Sequence, residues 1–175
     1  TVFSHEGGAT AEINFSEDTN KDGKLNIAEN KQDNDTTKTG VEIKIPSGSA
    51  VAGDKLKIEI DHNGNITNRE ITLSSTDLTN GKVTIDAPVS DATTTKATIK
   101  VVDQYGNESS AVTKTLTSKL SLPNAPTNIK FMEDANNDNK LNKVENDADG
   151  DAAKTKVEIG IPTDANVGDT LEVKV

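Results

Sequence analysis

The sequence has no cysteine and no tryptophan, and its only aromatic residues are Phe3, Phe15, Tyr105 and Phe131. Without cysteine there is no disulfide to staple a small domain and no thiolate for zinc binding or nucleophilic chemistry. With so few rings, the core has to be built from Val, Ile and Leu, which suits a thin sandwich of two sheets. His5 and His62 are isolated, and no G-x-S-x-G, P-loop or zinc pattern occurs. Carboxylates abound, but a glycosidase sets its pair in a cleft, usually with aromatics that stack on sugars. The residues therefore read as non-enzymatic. No apolar run is long enough to span a bilayer, so direct membrane insertion is not expected. Asp and Glu outnumber Lys and Arg by 29 to 19, for a net charge of −10. Such an acidic surface repels nucleic acid and is compatible with cations.

What the sequence does contain is a copy of itself. INFSEDTNKDGKLNIAEN, from Ile13 to Asn30, recurs as IKFMEDANNDNKLNKVEN, from Ile129 to Asn146, an offset of 116 residues. The offset persists from VEIKIP at Val41 to VEIGIP at Val157, and becomes 115 from GDKLKIEI at Gly53 to GDTLEVKV at Gly168. A unit of this length is too long for a solenoid repeat and suits a whole immunoglobulin-like domain. Residues 1–10 read as a lead-in, 11–117 as a complete repeat, 118–127 as a stiff two-proline linker, and 128–175 as the N-terminal half of a second, truncated repeat.

Seven strands are expected in the first copy, at about 11–15, 39–45, 54–61, 66–73, 82–87, 95–103 and 110–117. Apolar and polar residues alternate at Val41, Ile43 and Ile45, at Leu56, Ile58 and Ile60, at Val83 and Ile85, and at Ala97, Ile99 and Val101. Asn63-Gly64, Asn80-Gly81 and Tyr105-Gly106-Asn107 mark turns. Only 26–34 has helical potential. The expected class is all-β. In an up-and-down arrangement, loop 18–38 shares a pole with the end of the last strand and with Asp61, Asn63 and Asp91. Residues 103–108 lie at the other pole.

Asp18 to Glu29 reads DTNKDGKLNIAE and matches a calcium-binding EF-hand loop at every defining position. Asp18, Asn20 and Asp22 stand at positions 1, 3 and 5. Gly23 makes the sharp turn at 6, Lys24 offers its carbonyl at 7, Asn26 is at 9 and Glu29 closes the shell at 12. Calcium takes six to eight oxygens, and alternate residues of a tight loop aim theirs at one centre. The second loop supplies Asp134, Asn136, Asp138, Lys140, Asn142 and Glu145 at the same places, with Asn139 for the glycine. Asparagine best replaces glycine in a left-handed conformation.

Other acids follow. Asp33 and Asp35 recur as Asp149 and Asp151; they form a second ion site, extend the first, or belong to a solvated loop. Asp103, Asn107 and Glu108 cluster either as a further ion site or as a turn with a hydrogen-bonding Asp. An EF-hand sensor needs long flanking helices; here a strand precedes the loop, grafting it between the first two strands of a sandwich.

The combination of EDTNKDGKLNIAEN, VEIKIP, GDKLKIEI and DQYGNES resembles the bacterial immunoglobulin-like tandem repeats of giant type I-secreted adhesins, of the RTX and biofilm-associated kinds. That resemblance covers 11–122 and 123–175. It implies immunoglobulin-like β-sandwich repeats in a secreted array on the bacterial cell surface, stiffened by calcium. The repeats would act as a spacer supporting cell adhesion or biofilm formation. Their partners would be neighbouring repeats of the same chain, with a host or abiotic surface held by other domains. The alternative is a module that itself binds glycan, protein or ice, or pairs homophilically.

Overall fold

The structure is a computed structural model, and it describes residues 11–175; the lead-in 1–10, with His5, lies outside the described residues. The chain divides into two compact units, Thr1–Ser121 and Leu122–Val175. Strands outnumber helices in both, and the fold is all-β with few and short helices among the described residues.

In the first unit the strands are β1 (Glu12–Phe15), β2 (Lys24–Leu25), β3 (Lys38–Lys44), β4 (Lys55–His62), β5 (Asn65–Thr72), β6 (Lys82–Pro88), β7 (Thr93–Val102) and β8 (Val112–Ser118). One sheet has the order β1-β3-β6 and the other β2-β8-β7-β4-β5. All pairings are antiparallel except β2 with β8, which is parallel.

Strand periodicity fixes which side chains face inward. In the first sheet Phe15 is registered with Val41 and Val41 with Ile85, while Ile13 faces Ile43 and Ile43 faces Val83. In the second, Ile58 lies opposite Ile99 and Ile60 opposite Ala97. These rows from both sheets join in one core with Leu25, Leu56, Leu73 and Leu116. The alternation slips at the end of β7, where Val102 is buried and Val101 only partly so.

The turns 61–65 and 88–94 and the chain after β8 are tied together at one end of the unit. Asn63 N–H donates to the Thr94 carbonyl at 2.9 Å. Leu120 and Ser121 N–H both donate to Asp91 Oδ1, at 2.6 and 3.0 Å, which keeps the first residues of the proline-bearing connector with the first unit. At the opposite end, Gln104 Nε2 donates to the Ala52 carbonyl at 3.0 Å. The crossover from β5 to β6 carries a short helix, α1 (Ser75–Asn80), that the strand pattern does not reveal. Ser74 and Asp77 close a reciprocal capping box at its start, and Gly81 ends it in a left-handed conformation.

The second unit has β9 (Thr127–Phe131), α2 (Lys143–Asn146) and β10 (Val157–Gly160), with β9 and β10 antiparallel. Two strands cannot close a core. Phe131 is 50% exposed where Phe15 is 3%, and Leu141 is 45% exposed where Leu25 is 1%.

A buried methylene is worth about 0.8 kcal/mol, and a cavity adds to the loss. Ile58→Ala should therefore destabilise the first unit by about 2–5 kcal/mol in urea denaturation. Ile66→Ala, on the exposed edge strand β5, should stay within about 0.5 kcal/mol of the parent.

Candidate functional site: two acidic loops

After Phe15 the chain leaves the sheet with one last backbone bond, Ser16 N–H to the Gly40 carbonyl at 2.8 Å. The next two residues, Glu17 and Asp18, turn inward and are buried. Asp18 then organises the loop. Its Oδ1 accepts the Asp22 N–H at 3.1 Å and its Oδ2 the Gly23 N–H at 3.0 Å. Asn20 Oδ1 also accepts Asp22 N–H, at 2.9 Å, and Asp22 Oδ1 accepts Lys24 N–H at 2.8 Å. Short Asx side chains bonding backbone two to five residues ahead wind the chain into a tight coil. Lys21 and Gly23 take left-handed conformations, at φ 59° and 76°, to complete it.

The coil is then fastened to the sandwich. Thr117 N–H donates to the Gly23 carbonyl and Lys119 N–H to the Leu25 carbonyl, both at 2.9 Å. Those two carbonyls face β8, so by strand alternation the Lys24 carbonyl between them points away from it. Leu25 plugs the core. A single 3₁₀ turn, Glu29–Lys31, comes next, and Asn26 Oδ1 accepts N–H from Ala28 and Glu29 ahead of it, at 2.9 and 3.1 Å. Glu29 Oε2 returns to Asn26, accepting from its N–H at 3.2 Å and its Nδ2 at 2.6 Å. The helical potential of 26–34 is thus realised over one turn only.

The second loop repeats this wiring. Asp134 accepts N–H from Asp138 and Asn139 at 3.1 and 2.9 Å, Asn136 from Asp138 at 3.0 Å, and Asp138 from Lys140 at 2.9 Å. Asn142 and Glu145 form the same reciprocal cap, here opening α2. Asn139 sits at φ 61°, in the left-handed place that Gly23 holds.

The oxygens at positions 1, 3, 5, 9 and 12 are all hard donors, and each carboxylate or amide oxygen retains lone pairs beyond the N–H bonds it accepts. Such a set suits calcium over the softer transition metals. Among the described residues, no three His, Cys, Asp or Glu side chains stand ready-arranged around a metal.

Asp33 and Asp35 lie on the return of the loop toward β3. Asp33 Oδ1 accepts Asp35 N–H at 2.8 Å, and Asp35 Oδ1 accepts both N–H and hydroxyl of Thr37, at 3.0 and 2.7 Å. The Thr37 bonds hold the Asp35 carboxyl below its usual range. Asp149 and Asp151 repeat the pattern through Asp151 N–H at 2.9 Å and Ala153 N–H at 3.1 Å.

Sequence reasoning passed over the residue behind them. Glu17 is 3% exposed, and neither of its carboxylate oxygens has a hydrogen-bond partner. Burial pushes its carboxyl up to about 7, with the charges of Asp33 and Asp35 adding to the effect; the nearby Thr39 hydroxyl, outside hydrogen-bond geometry, opposes it. Glu133, its counterpart, is 7% exposed and likewise unpartnered. Burial raises its carboxyl too, helped by Asp149. The signal was the acid immediately before each loop's first Asp, which a strand-end position makes look solvated.

Asp103, Asn107 and Glu108 lie at the opposite end of the unit and do not converge on one point. Asp103 accepts N–H from Tyr105 and Asn107 and the Asn107 Nδ2, at 2.9, 2.8 and 2.7 Å, which is a self-contained turn. Glu108 turns instead to Lys57 Nζ at 2.5 Å and Lys100 Nζ at 3.0 Å. Those lysines pull its carboxyl down to about 2. His62 sits in its turn between Thr95 Oγ1 at 2.9 Å and Ser90 Oγ at 3.1 Å.

No family model matches the chain, no curated protein matches it and no solved structure matches it.

Gly23→Val should cost more than about 1 kcal/mol, because a branched side chain is strained at positive φ, whereas Gly23→Asn should cost less, as Asn139 demonstrates in the second loop; urea melts of both variants give the comparison. Because Glu108 is depressed below its ordinary value, its contribution to stability is full above about pH 4.5 and is lost as pH falls through about 2. The melting difference between parent and Glu108→Gln should accordingly be level near neutrality and vanish in strong acid.

Proposed function

We propose that the chain is a calcium-binding structural segment: immunoglobulin-like β-sandwich repeats that serve as an extracellular spacer in a bacterial surface adhesin. The observation that carries this reading is the loop that occurs twice with the same hydrogen bonds. A twelve-residue acidic coil that keeps its wiring through changes at five of its positions is built for a purpose, and its donors are those calcium prefers. Asp18, Asn20, Asp22, the Lys24 carbonyl and Glu29 would hold one ion, and Asp134, Asn136, Asp138, the Lys140 carbonyl and Glu145 another. When bound, the ion supplies positive charge that offsets carboxylates gathered in one coil.

The immunoglobulin-like assignment draws support from strand order. Leaving aside the two-residue β2, the seven strands of the first unit taken in sequence correspond to A, B, C, C′, E, F and G. Their sheets are then A-B-E and G-F-C-C′, a division in keeping with immunoglobulin-type sandwiches that carry C′ on the GFC sheet. The fastening of β2 to β8 supports a mechanical role. It links the loop to the strand that leads out of the unit, so that ordering the loop also orders the departing chain. The acidic surface and the absence of a membrane-spanning helix among the described residues are compatible with a position outside the cell.

Affinity in the range of extracellular modules, about 10⁻⁴–10⁻³ M, is expected from three carboxylates per loop. At about one hundred times the dissociation constant, calcium should stabilise the folded state by about 2.7 kcal/mol per site. Thermal melts in calcium chloride and in chelator measure the shift, and Glu29→Gln should diminish it. Equal melting temperatures in the two buffers would refute the reading.

A further inference from the structure

The twelve-residue loops leave one group in each unit unexplained. Glu17 is buried with both oxygens unpartnered, and beside it Thr39, 1% exposed, has a hydroxyl that is also unpartnered. Glu133 and the Thr155 hydroxyl repeat the situation 116 residues later. Asp33 and Asp35 accompany the first pair, Asp149 and Asp151 the second. Taking a carboxylate out of water with no donor to replace its hydration is strongly unfavourable. A single instance is an accident of packing, but two at equivalent positions, each facing the same three oxygen-bearing side chains, form a pattern.

The nearest lysine does not resolve it. Lys38 Nζ lies 3.8 Å from Asp35 Oδ2, and Lys154 Nζ lies 3.8 Å from Asp151 Oδ2, so each reaches the exposed Asp at the rim and not the buried Glu. Nor is the burial a by-product of the hydrophobic core. Phe131 is half exposed, yet Glu133 two residues later is still buried, though less deeply than Glu17. The enclosure is made locally. In each unit an asparagine side chain pins the returning chain, Asn30 Nδ2 to the Thr36 carbonyl and Asn146 Nδ2 to the Ala152 carbonyl, both at 3.0 Å. Asn30 Oδ1 is a further buried oxygen without a partner.

We propose that each unit has a second divalent-cation site, made by Glu17, Asp33, Asp35 and Thr39 in the first unit and by Glu133, Asp149, Asp151 and Thr155 in the second, and that it takes calcium. The donors are all oxygens, three of them carboxylates, which selects a hard cation. Glu17 is the fixed, dehydrated ligand. Asp33 is exposed and Asp35 half-exposed, and each accepts backbone N–H bonds that leave lone pairs free, so the ion would draw them inward over it. The site shares no ligand with the twelve-residue coil. The adjacency of Glu17 and Asp18 places the two ions on either side of one peptide, so that the first acid of the coil and the buried acid before it are ordered together.

Calcium titration calorimetry on the full chain tests this, with melting temperature in calcium and in chelator as a second readout. Glu17→Gln removes the charge at constant shape. Asp33→Asn/Asp35→Asn alters only side chains outside the buried set and serves if the first variant misfolds. Each should lower the number of bound calcium ions by one and shrink the calcium-dependent rise in melting temperature. Asp22→Asn, in the coil, should leave this binding step in place. If both site variants titrate like the parent, the proposal is overturned and Glu17 is a buried neutral acid, with the coil unaffected. Loss of an ion in the Glu17 and Asp33/Asp35 variants but not in Asp22→Asn upholds it and overturns the coil as a calcium site. A parent that binds no calcium overturns both.

Discussion

The short parallel pairing of Lys24–Leu25 with Thr117–Ser118 is the contact on which the first unit's arrangement depends. It adds only a rung or two of hydrogen bonds, but it joins a chain segment near the start of the unit to the last strand. On one side it sets Leu25 into the core between the sheets; on the other it holds the carbonyls of Gly23 and Leu25 against β8. Without it the acidic coil would be an insertion on a tether. With it, the coil is part of the sandwich wall, and its geometry is referred to the same frame as Ile99 and Leu116.

Backbone demands and side-chain demands separate cleanly in the comparison of the two units. The coil's bonds recur within a few tenths of an ångström in a unit whose apolar residues are largely exposed. The Asx side-chain bonds that wind the coil reach no more than five residues along the chain, so it needs no core to take shape. The sheets behave differently. Val41 is buried because Phe15, Ile85 and the opposite sheet surround it, and Val157, with only β9 beside it, is left half open.

The same distinction governs what could be read from the sequence. Strands with strict alternation, such as LKIEI in β4 and VEI in β3, were legible to within a residue or two because one face is apolar and the other charged. The left-handed places at Gly23 and Asn139 were legible from residue type. The helix α1 was not, because six residues carry no period; its one signal was Ser74 with Asp77 three positions on. Strand β2 was not, since two residues have no pattern and their partner lies 93 residues away. Glu17 was missed for a related reason. Its burial comes from the return of 30–39 over the end of β1, and a carboxylate at a strand end carries no mark of what will later cover it.

The wiring of the coil also bears on the order in which the unit assembles. Loops of about ten residues close in about 10–100 ns, whereas pairings between distant segments wait for chain-closure entropy to be overcome and slow folding in proportion to their sequence separation. Asp18 to Glu29 belongs to the first kind of event, and its docking against Thr117 and Ser118 to the second. On a chain emerging N-terminus first, the coil is therefore shaped while β8 is still to come, and the sandwich closes onto a loop that already has its form.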